Sequence, residues 1–162
     1  MLPLLRDLWA GVAVDGATLP VRPLQDPLEV WMGGRSRAAL ERAGRLSDGW
    51  LPGGLPITVA AEGKAVVEEA AAEHGRTISP EHFGTNISYA REQLPDDVRA
   101  AMAARLPGAE QLVPVGHQAL RDTIAAWVDA GFSKLVLRPA VAPADWRAEL
   151  EQLADDVLDL QT

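Results

Sequence analysis

Residues 27–54 read PLEVWMGGRSRAALERAGRLSDGWLPGG, and what this stretch can form decides the fold. Residues 28–32 are short, mostly apolar and bounded by Pro27 and Gly33-Gly34, which suits a strand covered on both faces. Ser36 can cap a helix whose apolar positions Ala39, Leu40, Ala43 and Leu46 recur at helical spacing. Asp48-Gly49 then turns the chain into Trp50-Leu51, and Pro52-Gly53-Gly54 stops it. Strand, glycine turn, helix, strand is one βαβ unit, with a right-handed crossover expected. The turn after the first strand leaves free backbone N–H groups at a helix N-terminus, a place that favours an anion.

The same alternation continues outward. Residues 57–74 are rich in alanine and glutamate and predict a helix ending at Gly75. Residues 83–90 (FGTNISYA) alternate and carry β-branched side chains, the pattern of a strand. Residues 95–106 predict a polar-faced helix in an excursion, and a further helix after Gly116 shows Leu120, Ile124, Trp127 and Val128 on one face. Residues 134–138 (KLVLR) are the next strand. Residues 144–160 close the chain as an amphipathic helix with Trp146, Leu150, Leu153, Ala154 and Val157 expected inward. Upstream, residues 1–10 form a helix with Leu4, Leu5, Leu8 and Trp9 at the spacing of one face. Residues 11–26 are turn-rich, with a small hairpin expected across Asp15-Gly16. About four strand–helix repeats predict a parallel sheet with helical crossovers in one α/β domain spanning 1–162.

The totals narrow the class. A chain of 162 residues can bury its own core, and 48% hydrophobic with 23% charged residues is ordinary for a soluble globular protein. A net charge of −8 argues against broad binding to nucleic acid or anionic membranes. Without cysteine, the chain has no disulfide, thiol nucleophile or cysteine metal site. No run approaches the ~18 apolar residues of a membrane span and no signal-peptide pattern opens the chain, so a cytoplasmic protein is expected. His74, His82 and His117 fit no metal-ligand spacing, and no nucleophile elbow or Walker-type loop is present.

The run PLEVWMGGRSRAALERAGRLSDGWLP resembles the mid-chain signature of luciferase-like flavin and deazaflavin oxidoreductases: a proline-led strand ending in Gly-Gly, a helix, then Asp-Gly-Trp. LLRDLWAG near the start, VPVG before the helix after Gly116, and AGFSKLVLRP near the end fall in that family's order too. The resemblance implies a TIM-type (β/α)8 barrel, with the four strands near 28–32, 49–52, 83–90 and 134–138 as its second half. It also implies that the opening helix is the tail of one beginning upstream.

From the resemblance, the turn Gly33-Gly34-Arg35-Ser36 is expected to hold the phosphate of FMN or of the deazaflavin coenzyme F-420. Small residues permit close backbone approach, Ser36 offers a hydroxyl and Arg35 a positive charge. Trp50 and Arg138, each following a strand on the side where barrel sites open, are candidates for the substrate pocket, as packing residue or pocket wall for the first and as rim charge or anion clamp for the second. Asn86 and Ser88 fall on the face of their strand opposite Ile87 and Tyr89, toward a barrel interior. No catalytic residue is assigned. The expected activity is hydride transfer or monooxygenation on a small-molecule substrate. The alternative is a non-catalytic half-barrel that closes by pairing with a second copy or with a complementary amino-terminal half, since four parallel strands leave two unpaired edges.

Overall fold

The computed structural model describes residues 1–161. Helices and strands alternate as α1 (Leu2–Trp9), β1 (Trp31–Met32), α2 (Arg37–Leu46), β2 (Gly49–Trp50), α3 (Ile57–Glu73), β3 (Gly84–Tyr89), α4 (Asp96–Arg105), α5 (His117–Asp129), β4 (Lys134–Pro139) and α6 (Trp146–Val157). Strands β1 and β2 run parallel, with Trp31 opposite Gly49 and Met32 opposite Trp50. Strands β3 and β4 run parallel over six residue pairs, from Gly84–Lys134 to Tyr89–Pro139. Isolated parallel bridges, Trp50 to Phe83 and Gly53 to Asn86, join the two ladders in the order β1-β2-β3-β4. The outer edges of β1 and β4 pair with no other strand among the described residues. No helix there is long and apolar enough to cross a membrane.

Local chemistry accounts for the element ends. Ser36 caps α2, its Oγ accepting the Ala39 N–H at 3.3 Å. Gly75 and Gly131, at φ +66° and +81°, take the left-handed conformation that ends α3 and α5. Asp145 caps α6 by accepting from the N–H groups of Arg147 and Ala148.

The core lies between the sheet and its helices, around Trp50, Val67, Phe83, Tyr89, Leu120 and Phe132. Phe132 meets Trp127 edge-on at 4.9 Å and Phe83 edge-on at 6.5 Å between ring centres. Each such aromatic pair adds about 0.5–1.5 kcal/mol beyond its area burial. Helices α2 and α3 pack through small residues. A Cβ on Gly44 would stand 2.3 Å from the Val67 carbonyl, so no larger residue fits between them.

Four expectations are corrected. The strand at 28–32 is ordered as a ladder only at Trp31–Met32, because the Val30 N–H donates to the Asp48 carboxylate at 2.8 Å. The hairpin across Asp15-Gly16 reduces to a single antiparallel bridge, Val14 to Ala17. In α1 the buried side chain is Leu2, while Leu4 is 50% exposed. In α6 Trp146 and Leu150 are exposed by 53% and 59%, and the buried residue is Glu149. The reason lies at the end of β3 and just past it: Tyr89 O–H donates to Glu149 Oε1 at 2.5 Å, and Arg91 Nη2 donates to the same oxygen at 2.8 Å. Leu153 and Val157 do pack against the core as expected, but at the start of α6 a charged, hydrogen-bonded anchor takes the place of the apolar residues Trp146 and Leu150.

Candidate active site at the carboxyl ends of the strands

Two features open at the carboxyl end of the sheet. The first is the β1–α2 turn. Gly33, Gly34, Arg35 and Ser36 are all exposed there. Gly34 sits at φ +116°, and a Cβ on it would lie 2.7 Å from that of Ala39. Its carbonyl accepts the Trp50 indole N–H at 3.1 Å, which holds that oxygen against the core. The N–H groups of Arg37 and Ala38, in the first helical turn, lack the preceding helical carbonyls they would need. The result is a turn of small residues with N–H groups, a hydroxyl and a guanidinium available to an oxyanion.

The second feature is a cleft of about 730 Å³, a volume ordinary for a small-molecule site. Its walls come from residues 53–58 after β2, the open face of β3 and β4, and the excursion at residues 109–113. Alternation along β3 sends Thr85, Ile87 and Tyr89 into the core and leaves Asn86 exposed and Ser88 half-buried on the other face. Register places Val136 beside Asn86 and Arg138 beside Ser88. Asn86, Ser88, Val136 and Arg138 all line the cleft.

The expected site residues therefore separate. Arg138, Asn86 and Ser88 meet in the cleft. Gly33, Gly34, Arg35 and Ser36 stay together in their turn and do not line it. Arg35 instead borders a smaller hollow of about 210 Å³ between α2 and α3. Trp50 is fully buried and belongs to the core; its N–H bonds the turn at Gly34, and it lines the smaller hollow together with Arg35.

Asp48 has a role that sequence reading missed. Its Oδ2 accepts from Arg6 at 2.6 Å and from the Val30 N–H, so it ties α1 and the β1 entry to β2. Arg76 reaches in alongside, donating to the carbonyls of Gly44 at 2.8 Å and Ser47 at 2.7 Å. All this lies at the amino end of the strands, away from the cleft. The adjacent Gly49 is required by packing, since a Cβ there would lie 2.5 Å from the Trp31 ring and 2.6 Å from the His82 carbonyl.

The ionisable cluster around Glu149 lies on the helix-side face of β3. Burial first, then the bond to Glu149, pushes the Tyr89 hydroxyl well above its ordinary range. Burial opposes ionisation of Glu149, but the hydrogen bonds from Arg91 and Tyr89 outweigh it and hold its carboxyl below the usual value. Asp156 is held low in the same way, against burial, by Arg91 and by His117, whose Nδ1 lies 2.8 Å away. These groups bond to one another, and none of them lines the cleft. Among the described residues no set of three His, Asp or Glu could hold a metal ion.

A family model described as luciferase-like monooxygenase matches residues 1–158. The chain belongs to that family. Among solved structures, this luciferase-like chain is similar to an F-420-dependent secondary alcohol dehydrogenase in complex with an F-420–acetone adduct. The TM-score is 0.77 and the identity 14%, over 99% of this chain and 60% of that one. It is also similar to the coenzyme F-420-dependent tetrahydromethanopterin reductase from Methanopyrus kandleri, at TM-score 0.71 and 15% identity, covering 98% of this chain and 61% of that one. A third is the monooxygenase RslO1 from Streptomyces bottropensis, at TM-score 0.72 and 19% identity, over 98% and 59%. At these identities the likeness is one of fold. The luciferase-like chain spans about three-fifths of the length of each.

Proposed function

We propose that this luciferase-like chain is the cofactor-tail half of an oxidoreductase that uses coenzyme F-420 or FMN for hydride transfer or monooxygenation. The β1–α2 turn carries the reading. Gly33 and Gly34 let a phosphate approach the backbone, Ser36 and the first N–H groups of α2 can donate to its oxygens, and Arg35 can neutralise it. The bound ring would supply the redox chemistry, while the chain's own residues hold the tail and shape the space beside it. The cleft along Asn86, Ser88 and Arg138 is the place for the substrate, at the strand ends where barrel enzymes bind theirs. That two of the similar enzymes are F-420-dependent favours the deazaflavin over FMN.

The test is an absorbance titration of the full chain with each cofactor. Arg35→Gln is expected to weaken binding of the preferred one by about tenfold, the scale of a charge-assisted hydrogen bond. A native chain that leaves both spectra unchanged would sink the reading.

A second reading has its own observation. The outer edges of β1 and β4 are unpaired among the described residues, and Val136 is 53% exposed on the sheet face opposite the core. Association with a second copy, or with a chain supplying the remaining strands, would cover both. The two readings are compatible, because a closed barrel is also what a complete site would require.

A further inference from the structure

The cleft has one electrostatic property that the family membership does not supply. Its walls are apolar at Ile57, Leu112, Val113 and Val136 and neutral elsewhere, and among the described residues the single ionisable side chain lining it is that of Arg138. Arg138 is exposed and engages in no ion pair among those residues. Beside it in register stands Ser88, and one step down the same face stands Asn86, a hydroxyl and an amide that can both donate. Among the described residues no carboxylate lines the cleft, although the chain as a whole carries a net charge of −8. An uncompensated guanidinium in an otherwise neutral, largely apolar cleft of an acidic protein selects for one kind of guest.

Resting on the reading of this cleft as the substrate's place, we propose that the substrate is an amphipathic anion. Its carboxylate or phosphate is gripped by Arg138 with Ser88 and Asn86 beside it, and its apolar body lies against Ile57, Leu112, Val113 and Val136. The guanidinium offers a planar pair of N–H donors that matches two oxygens of one acid group. Its place on a strand, and not on a loop, fixes where the charge must sit relative to the sheet. The same chemistry would suit the cofactor's phosphate, and the two sources predict different outcomes.

Calorimetric titration of the full chain with naphthoate and with naphthamide compares the same ring with and without the charge. Naphthoate is expected to bind about tenfold tighter, as one charged hydrogen-bonded contact gives. Arg138→Gln should bring the two ligands level, and Arg138→Lys should keep part of the preference. Circular dichroism should find both variants folded, because the side chain is exposed. Equal affinities in the native chain, absence of naphthoate binding, or a preference that survives Arg138→Gln would overturn the proposal. The second arm titrates F-420 and FMN into Arg138→Gln, where unchanged cofactor affinity is expected. A loss comparable to that of Arg35→Gln would assign the charge to the cofactor's phosphate and overturn the substrate assignment. Failure of the native chain to bind either cofactor would fall on the cofactor reading alone, and the naphthoate comparison would still decide this one.

Discussion

At the residue scale, the family-like stretch Asp48-Gly49-Trp50 is a packing joint. Asp48 ties the amino ends of the strands, Gly49 makes room for the Trp31 ring, and Trp50 fills the core. Trp50 is accommodated because α3 has Gly63 where its ring arrives; a Cβ there would lie 2.7 Å from Trp50 Cη2. Gly63→Ala therefore sets two effects against each other. Helix propensity favours alanine by about 1 kcal/mol, while forcing a carbon against a fully buried ring costs about 1–3 kcal/mol. Overpacking should win, and a denaturant midpoint equal to that of the native chain would show that the ring can yield. The glycine turn was legible in sequence because small residues before a capping serine have few other uses. The role of Trp50 was not, since an indole in the core and one lining a pocket follow a strand in the same way. Asp48 was missed because its partners Arg6, Val30 and Arg76 lie far from it in the chain.

At the scale of elements, strand and helix succession was readable from β1 onward, but the inward face of α6 was readable only in part, at Leu153 and Val157 and not at Trp146 and Leu150. Periodicity assigns apolar residues inward, and nothing near residue 149 announces that Tyr89 at the end of β3 and Arg91 just beyond it will bury a glutamate. This clamp makes the docking of α6 depend on pH at both extremes. Glu149 and Asp156 have depressed folded-state values, so their contribution is present above the unfolded carboxylate range, about pH 4, and is lost as pH falls through the folded values. Tyr89 has a raised value, so its contribution is complete below about pH 10 and is lost as pH rises toward the folded value. The chain has a single tyrosine, so phenolate absorbance reports this residue alone. Ionisation is expected to coincide with alkaline unfolding, and Tyr89→Phe should weaken the alkaline dependence and also reduce the acid limb, since it removes one of the hydrogen bonds that hold Glu149 low, while Arg91 keeps the rest of that limb. A phenol titrating freely near pH 10 in folded protein would contradict the clamp.

At the scale of the whole molecule, the parallel order β1-β2-β3-β4 was expected from the repeated strand–helix pattern, and the ladders and bridges bear it out. Sequence did not supply the lengths of the ladders: β1 and β2 pair over two residues each, where a five-residue strand was expected at 28–32. Two open edges, with Val136 and the α6 residues Trp146 and Leu150 exposed, give the proposed association a physical basis. Sedimentation at micromolar concentration is expected to show a species heavier than one chain, and a single compact monomer would count against it.

The bond from the Trp50 indole to the Gly34 carbonyl joins a fully buried fluorophore to an exposed turn. A ligand that tightens or tilts that turn must change the electrostatic field at the indole nitrogen. A chain keeping Trp50 as its sole tryptophan would thus carry an emission reporter inside the core, reading events at the surface without any dye attached.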